Sequence, residues 1–235
     1  MKIAAITDIG SCRQENQDNY CAQQLAGGTA WGIVCDGMGG VNGGRIAARI
    51  ATDTMQQYFA RHMKALQPGM EKTFIMRGFD ITNRAVYEKS TSDPEMQAWA
   101  PRASVPTPAA AWPIWYTPGI PARICSMQVR CGRSPATTRW YSSLWTAARS
   151  PVSRRPYTRK KILITPGPLG VSANIVPEYN RCEIEEGDIL LLCTDGLTNM
   201  VSDDDIAQVL CEVPFFDATS ILVDRALQAG GQDNI

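Results

Sequence analysis

Apolar residues fall along this chain in two kinds of run. "TAWGIVCDG" and "GDILLLCTDG" are continuous and rich in β-formers, and each ends in Asp-Gly. That pattern predicts buried strands, each delivering a carboxylate at a turn. Elsewhere the apolar positions recur at helical intervals. In "RIAARIATDTMQQYFARHMKAL" they are Ile46, Ile50, Phe59 and Met63, and in "EKTFIMRGFDITNRAVYEK" they are Phe74, Phe79 and Val86. "VSDDDIAQVLCEV" predicts a helix capped by Ser202, with Asp203, Asp204 and Asp205 complementing the dipole in its first turn. "FDATSILVDRALQAGG" predicts a last helix closed by glycine. Strand, strand, helix, helix, an unpatterned middle, then strand, helix, helix is an α+β order, with helices covering sheets.

The unpatterned middle differs in composition too. From Met96 to Pro177 there are 82 residues with no Asp or Glu and 11 Lys or Arg, together with five of the six tryptophans and most of the prolines. All 23 acids lie outside, against 12 bases. Basic residues interleaved with aromatics can bind nucleic acid. Prolines this dense forbid long helices and central strands, however, and the basic residues show neither helical nor alternating spacing. The expectation is therefore no nucleic-acid partner.

Composition bounds the rest. A chain of 235 residues with 44% hydrophobic and 20% charged residues is long enough for one substantial globular core. No apolar run approaches the roughly 20 residues of a membrane span, and "MKIAAITDIGSCRQ" lacks the apolar stretch of a signal peptide. A cytoplasmic location with no membrane partner is expected. The eight cysteines form no CxxC pair, so buried free thiols are expected rather than a disulfide framework or a zinc site. The single histidine, His62, sits in a helical pattern, where a surface position is expected.

Four stretches carry the chemistry: "TDIGSCRQENQDNY", "CDGMGGVNGG", "CTDGLTNMVSDDDI" and "GGQDNI". One Asp-Gly at a strand end is usually a turn and nothing more. Four such stretches, two of them closing hydrophobic strands, point to carboxylates gathered where cations neutralise them. Oxygen-only ligands suit Mg²⁺ or Mn²⁺ and a dinuclear hydrolytic site.

In this order the stretches resemble the metal-dependent serine/threonine phosphatases of the PP2C (PPM) family, bacterial type, over about Met1 to Met96 and Gly170 to Ile235. "DGMGG", the later "TDGL" and "GGQDNI" together make the resemblance specific. It implies a single domain over 1–235, an α-β-β-α sandwich of two antiparallel β-sheets flanked by helices, with two Mn²⁺ or Mg²⁺ ions at one edge. By the same resemblance Asp36 bridges both metals, the Gly37 carbonyl is a neighbouring ligand, Asp195 and Asp233 hold the second metal, and Asp18 orients metal-bound water. Arg13 grips the substrate phosphate, and Asp8 and Asn234 support these ligands from behind. The implied reaction is hydrolysis of phosphoserine and phosphothreonine in proteins by metal-activated water, opposing a cognate serine/threonine kinase. The family usually has histidine directly after DGMGG, and this chain has Val41.

A larger departure lies in the middle. The family places a "GTT" strand and a "GDSR" strand between the second and third carboxylate motifs, and neither is present. Bases that encode Ala98 to Pro101 can also be read, from the third position, as Met-Gly-Thr-Thr. In that same offset Trp115 to Arg123 reads Val-His-Ala-Gly-Asp-Ser-Arg-Ala, "ATTRWY" allows Asp-His-Ser-Leu-Val, and "LWTAAR" allows Val-Asp-Ser-Gly-Glu. The expectation is that about 98–168 is an out-of-frame segment that disrupts the central strands and removes an additional metal site. The family also continues beyond its DNI into an apolar strand, so a truncated C-terminus is expected. The alternative to an active enzyme is a catalytically inactive PP2C-like domain that at most binds metal or a partner.

Overall fold

The structure, a computed structural model, describes residues 2–25, 30–37, 43–67, 69–92, 109–111, 114–116, 127–129, 141–142, 162–165, 167–170, 172–174, 178–180 and 189–235. Asn19–Gln24 (β1) and Ala30–Asp36 (β2) pair antiparallel, from Asn19 opposite Cys35 to Gln24 opposite Ala30. The pleat of β2 turns Trp31, Ile33 and Cys35 to one face, where all three are buried. Two long helices, Gly43–His62 (α1) and Glu71–Ser92 (α2), cover that face. Trp31 stacks on Phe59 with centroids 4.4 Å apart, and Phe79, Ile75 and Met55 complete the cluster. Burying each of the larger side chains stabilises the fold by about 1.5–3 kcal/mol.

The core face of α1 departs from the sequence expectation. Ala47, Ala48, Ala51 and Met55 form it with Phe59, while Ile46 and Ile50 are only half-buried at its flank. Three alanines let the helix axis approach the sheet closely, and Trp31 supplies the volume they lack. The predicted face of α2 is the observed one: Phe74, Phe79 and Val86 are all buried. Asn83 on α2 also fastens a distant turn, accepting from the Gly170 amide at 2.8 Å and donating to the Ser172 carbonyl at 2.9 Å. His62 ends α1 with its ring tilted against Tyr58, exposed as expected.

A second cluster gathers Ile189–Leu191 (β10 in chain order) with the helices Asp203–Glu212 (α3) and Ala218–Gln228 (α4). Ser202 caps α3 as its sequence predicts, accepting from the Asp205 amide at 3.2 Å. Beyond α4 the chain turns at Gly230 and Gly231, both at positive φ, with the Gly231 amide bonded to the Ala226 carbonyl at 3.0 Å.

Between these flanks lie β3 (Ala109–Ala111), β4 (Ile114–Tyr116), β5 (Met127–Val129), β6 (Tyr141–Ser142), β7 (Ile162–Thr165), β8 (Gly167–Leu169) and β9 (Glu178–Asn180). Every pairing is antiparallel, as expected, but the hydrogen-bonded strands divide into three groups rather than two: β1-β2-β3-β8, β10-β5-β6 and β4-β7-β9. The ladders of the middle segment are too short to join them. Of the seven residues of β2, only Cys35 and Asp36 pair with β3. One cysteine expectation is also corrected. Cys211 on α3 is disulfide-bonded, whereas Cys12, Cys21, Cys35 and Cys193 are free.

Candidate metal centre

The register of β1 and β2 explains how two carboxylates meet. With Asn19 opposite Cys35, the next positions outward are Asp18 and Asp36, so an antiparallel ladder sets them side by side at the sheet edge. Each raises the other's pKa. Burial is the larger cause for both, and the charges of Asp195 and Asp233 add to it. Asp18 is pushed up to about 6 and Asp36 to about 7. The same field reaches Cys35, whose wholly buried thiol is pushed far up by desolvation and then by Asp18 and Asp36.

Asp195 arrives from the other cluster. It opens a one-turn helix, Asp195–Thr198, directly after β10. A Cβ on Gly196 would collide with the Asn234 carbonyl, so only glycine allows this turn to lie against the C-terminal segment. Gly10, at φ 76°, is the second such point, because a Cβ there would strike the Asp233 carbonyl.

The C-terminal segment is laced to the N-terminal loop. The Asp8 amide donates to the Ile235 carbonyl at 2.8 Å and the Ile235 amide to the Asp8 carbonyl at 3.0 Å. The Asp8 carboxylate accepts from the Gly10 amide at 2.8 Å and so shapes the turn. Asn234, 5% exposed, donates to the carbonyls of Ile9 at 2.8 Å and Glu15 at 3.0 Å and accepts from the Gln17 amide at 2.8 Å. These bonds hold Arg13 against Asp233, whose Oδ2 accepts from Arg13 Nη2 at 2.7 Å. That contact raises the Arg13 pKa further, through the hydrogen bond first and the charge of Asp233 second.

The sequence-derived residues thus converge. Asp18, Asp36, Asp195, Asp233 and Arg13 lie within one another's electrostatic reach, with Asp8 and Asn234 as struts behind them. Gly37 is buried, its carbonyl packed against Gly44 at the start of α1. Val41 lies outside the described residues. Crowded, partly buried carboxylates facing a single named guanidinium are a donor set that divalent cations fit. Among the described residues, no three His, Cys, Asp or Glu side chains form a group that could hold one ion: Asp233 is turned onto Arg13 and Asp18 onto Thr194. Sequence reasoning missed Thr194, which donates to Asp18 Oδ2 at 2.7 Å, and Asn16, whose Oδ1 accepts from the Asp18 amide at 3.0 Å. Their only signal was adjacency to the carboxylate motifs.

An α+β fold with strand-end carboxylates from distant stretches is also what solved structures show. The Streptococcus agalactiae serine/threonine phosphatase superposes with a TM-score of 0.70 at 20% identity, covering 99% of this chain and 96% of that one. The catalytic domain of the serine/threonine protein phosphatase PstP, solved with two manganese ions, gives a TM-score of 0.63 at 18% identity, covering 98% and 93%. The Streptococcus pneumoniae protein phosphatase PhpP is 27% identical over 244 residues, spanning all of this chain and 95% of that protein. The family model Protein phosphatase 2C matches residues 11–229, and the chain belongs to that family.

Proposed function

We propose that the chain is a cytoplasmic, single-domain phosphatase for phosphoserine and phosphothreonine in proteins, a cognate kinase among its substrates. The observation that carries this is the convergence of Asp18, Asp36, Asp195 and Asp233 with one arginine, Arg13. Asp36, the Gly37 carbonyl, Asp195 and Asp233 are the groups that would hold two Mn²⁺ or Mg²⁺ ions. When bound, the ions supply the Lewis acidity that brings the pKa of a water toward neutrality. Asp18 orients that water. Arg13 donates its fork to phosphate oxygens once it leaves Asp233, neutralising charge that grows as the ester bond breaks. The Asp8 and Asn234 struts keep Arg13 and Asp233 in register.

The segment 98–168 is, in this reading, an out-of-frame stretch inside a phosphatase gene, which sequencing the coding DNA over codons 97–170 tests. Activity is tested by titrating Mn²⁺ calorimetrically and following p-nitrophenyl phosphate hydrolysis with and without it, for the parent and Asp36→Asn. The second reading, a PP2C-like domain that binds metal without turnover, is favoured by Val41 and by the absence of a GDSR strand. Mn²⁺ uptake with no hydrolysis would select it.

A further inference from the structure

Two helix starts, eight residues apart, use their hydroxyls differently. Ser202 has extended cap geometry and accepts from the amide three residues on. Thr194 has the same geometry, φ −83° and ψ 172°, yet its side chain makes no cap bond to the helix it precedes. Its hydroxyl instead donates to Asp18 Oδ2 at 2.7 Å, across 176 residues of chain, while the residue itself is 4% exposed. A threonine at an N-cap ordinarily contributes about 1 kcal/mol to its own helix. Here that local bond is forgone for a charged acceptor at the metal centre. The Gly37 amide gives Asp18 a second donor from the opposite side of the site.

We propose that Thr194 is a positioning residue for the candidate metal centre, its buried hydroxyl fixing the Asp18 carboxylate in the orientation that cation binding requires. The inference rests on the phosphatase reading, since it concerns the same carboxylates. Thr194 links the two halves of the site: it is anchored beside Asp195 after β10, and it holds a residue at the edge of the β1–β2 pair. Without the bond, a half-buried carboxylate beside three others turns toward solvent, which lowers repulsion and withdraws one oxygen from the cation.

The test uses the full chain with Thr194→Val, which keeps shape and removes the donor, and Thr194→Ser, which keeps the donor. Calorimetric Mn²⁺ affinity is expected to fall about tenfold or more in Thr194→Val and to stay within about twofold of the parent in Thr194→Ser, on the scale of one retained hydrogen bond. At saturating Mn²⁺, Thr194→Val lowers kcat for p-nitrophenyl phosphate with KM unchanged. In an Asp18→Asn background Thr194→Val removes no further Mn²⁺ affinity, because the partner is already altered. A purely structural threonine would instead lower the melting temperature of chelated protein in both backgrounds and leave affinity alone. Thr194→Val equal to the parent in Mn²⁺ affinity, or additive with Asp18→Asn, overturns the inference while the phosphatase reading stands. A parent chain that takes up no Mn²⁺ overturns both.

Discussion

The flanks of this chain and its middle obey different rules. In the flanks, apolar periodicity, caps and burial agree: the predicted face of α2 is the buried face, Ser202 caps α3, and β2 ends in the carboxylate that the site uses. From Met96 to Pro177 no acid occurs and most of the prolines crowd in, and the described strands before Pro177 run to four residues at most. A sequence shaped for folding is consistent from propensity to packing, and a stretch read out of frame has no reason to be. All of the expected site residues come from the flanks, which makes the contrast testable.

The largest expected effect is in the flank core. Phe79→Ala removes a fully buried ring from the α2–β2 cluster and is expected to destabilise by about 3–5 kcal/mol, measured by chemical denaturation. A loss under about 1 kcal/mol would mean that the flank is packed no better than the middle.

Next is Asp36→Asn, expected to lower phosphatase activity at least about 10³-fold, or about 4 kcal/mol in barrier, and to abolish Mn²⁺ stabilisation in a thermal scan. The same change removes a half-buried charge repelled by Asp18, Asp195 and Asp233. Chelator-treated Asp36→Asn should therefore melt no lower than the parent. A variant that melts lower would place the role of Asp36 in folding rather than in cation binding.

Arg13→Lys follows, with an expected loss of about 10- to 100-fold in kcat/KM, because an ammonium cannot reproduce a two-pronged contact with phosphate. Its pair with Asp233 is about half exposed, 54% and 39%, so breaking that bond alone has little effect on stability. Unchanged kcat/KM would return Arg13 to the status of a surface ion pair.

Legibility in the sequence followed the same division. Strand-end carboxylates were visible because a continuous apolar run fixes where a strand stops, and Asp36 and Asp195 stand at those stops. The α1 face was misread because isoleucines were weighted over alanines. Close helix–sheet approach selects small residues, and Ala48 and Ala51 are fully buried while Ile46 and Ile50 are not. Thr194 and Asn234 were harder still. The Thr194 hydroxyl bonds across 176 residues and the Asn234 amide across more than 200, and no local pattern encodes a partner that distant. The three separate sheet groups came from ladders of two to four residues, which periodicity does not resolve.

Ser202→Ala sharpens the comparison on a smaller scale. It removes a helix cap far from the carboxylates, with an expected cost of about 1 kcal/mol, or about 2–4 °C in melting temperature for a chain of this size. Mn²⁺ affinity should not move. Beside Thr194→Val it separates a hydroxyl that serves its own helix from one that serves the site.

The smallest expected effect is none at all, in the middle segment. Arg123, Arg130 and Arg133 lie outside the described residues, in the window where basic residues outnumber acids 11 to none. If that surplus arose from a shifted frame, the charges have no partner to recognise. The triple change to alanine should then leave activity, Mn²⁺ uptake and melting temperature where they were. Fluorescence anisotropy with single-stranded and duplex oligonucleotides at low salt should detect no difference between the chains. Specific phosphate contacts would behave otherwise: removing three cations would lower affinity and flatten its dependence on salt by roughly three counterions. Such flattening would make the middle a selected surface, and the division between a shaped flank and an unshaped centre would fail.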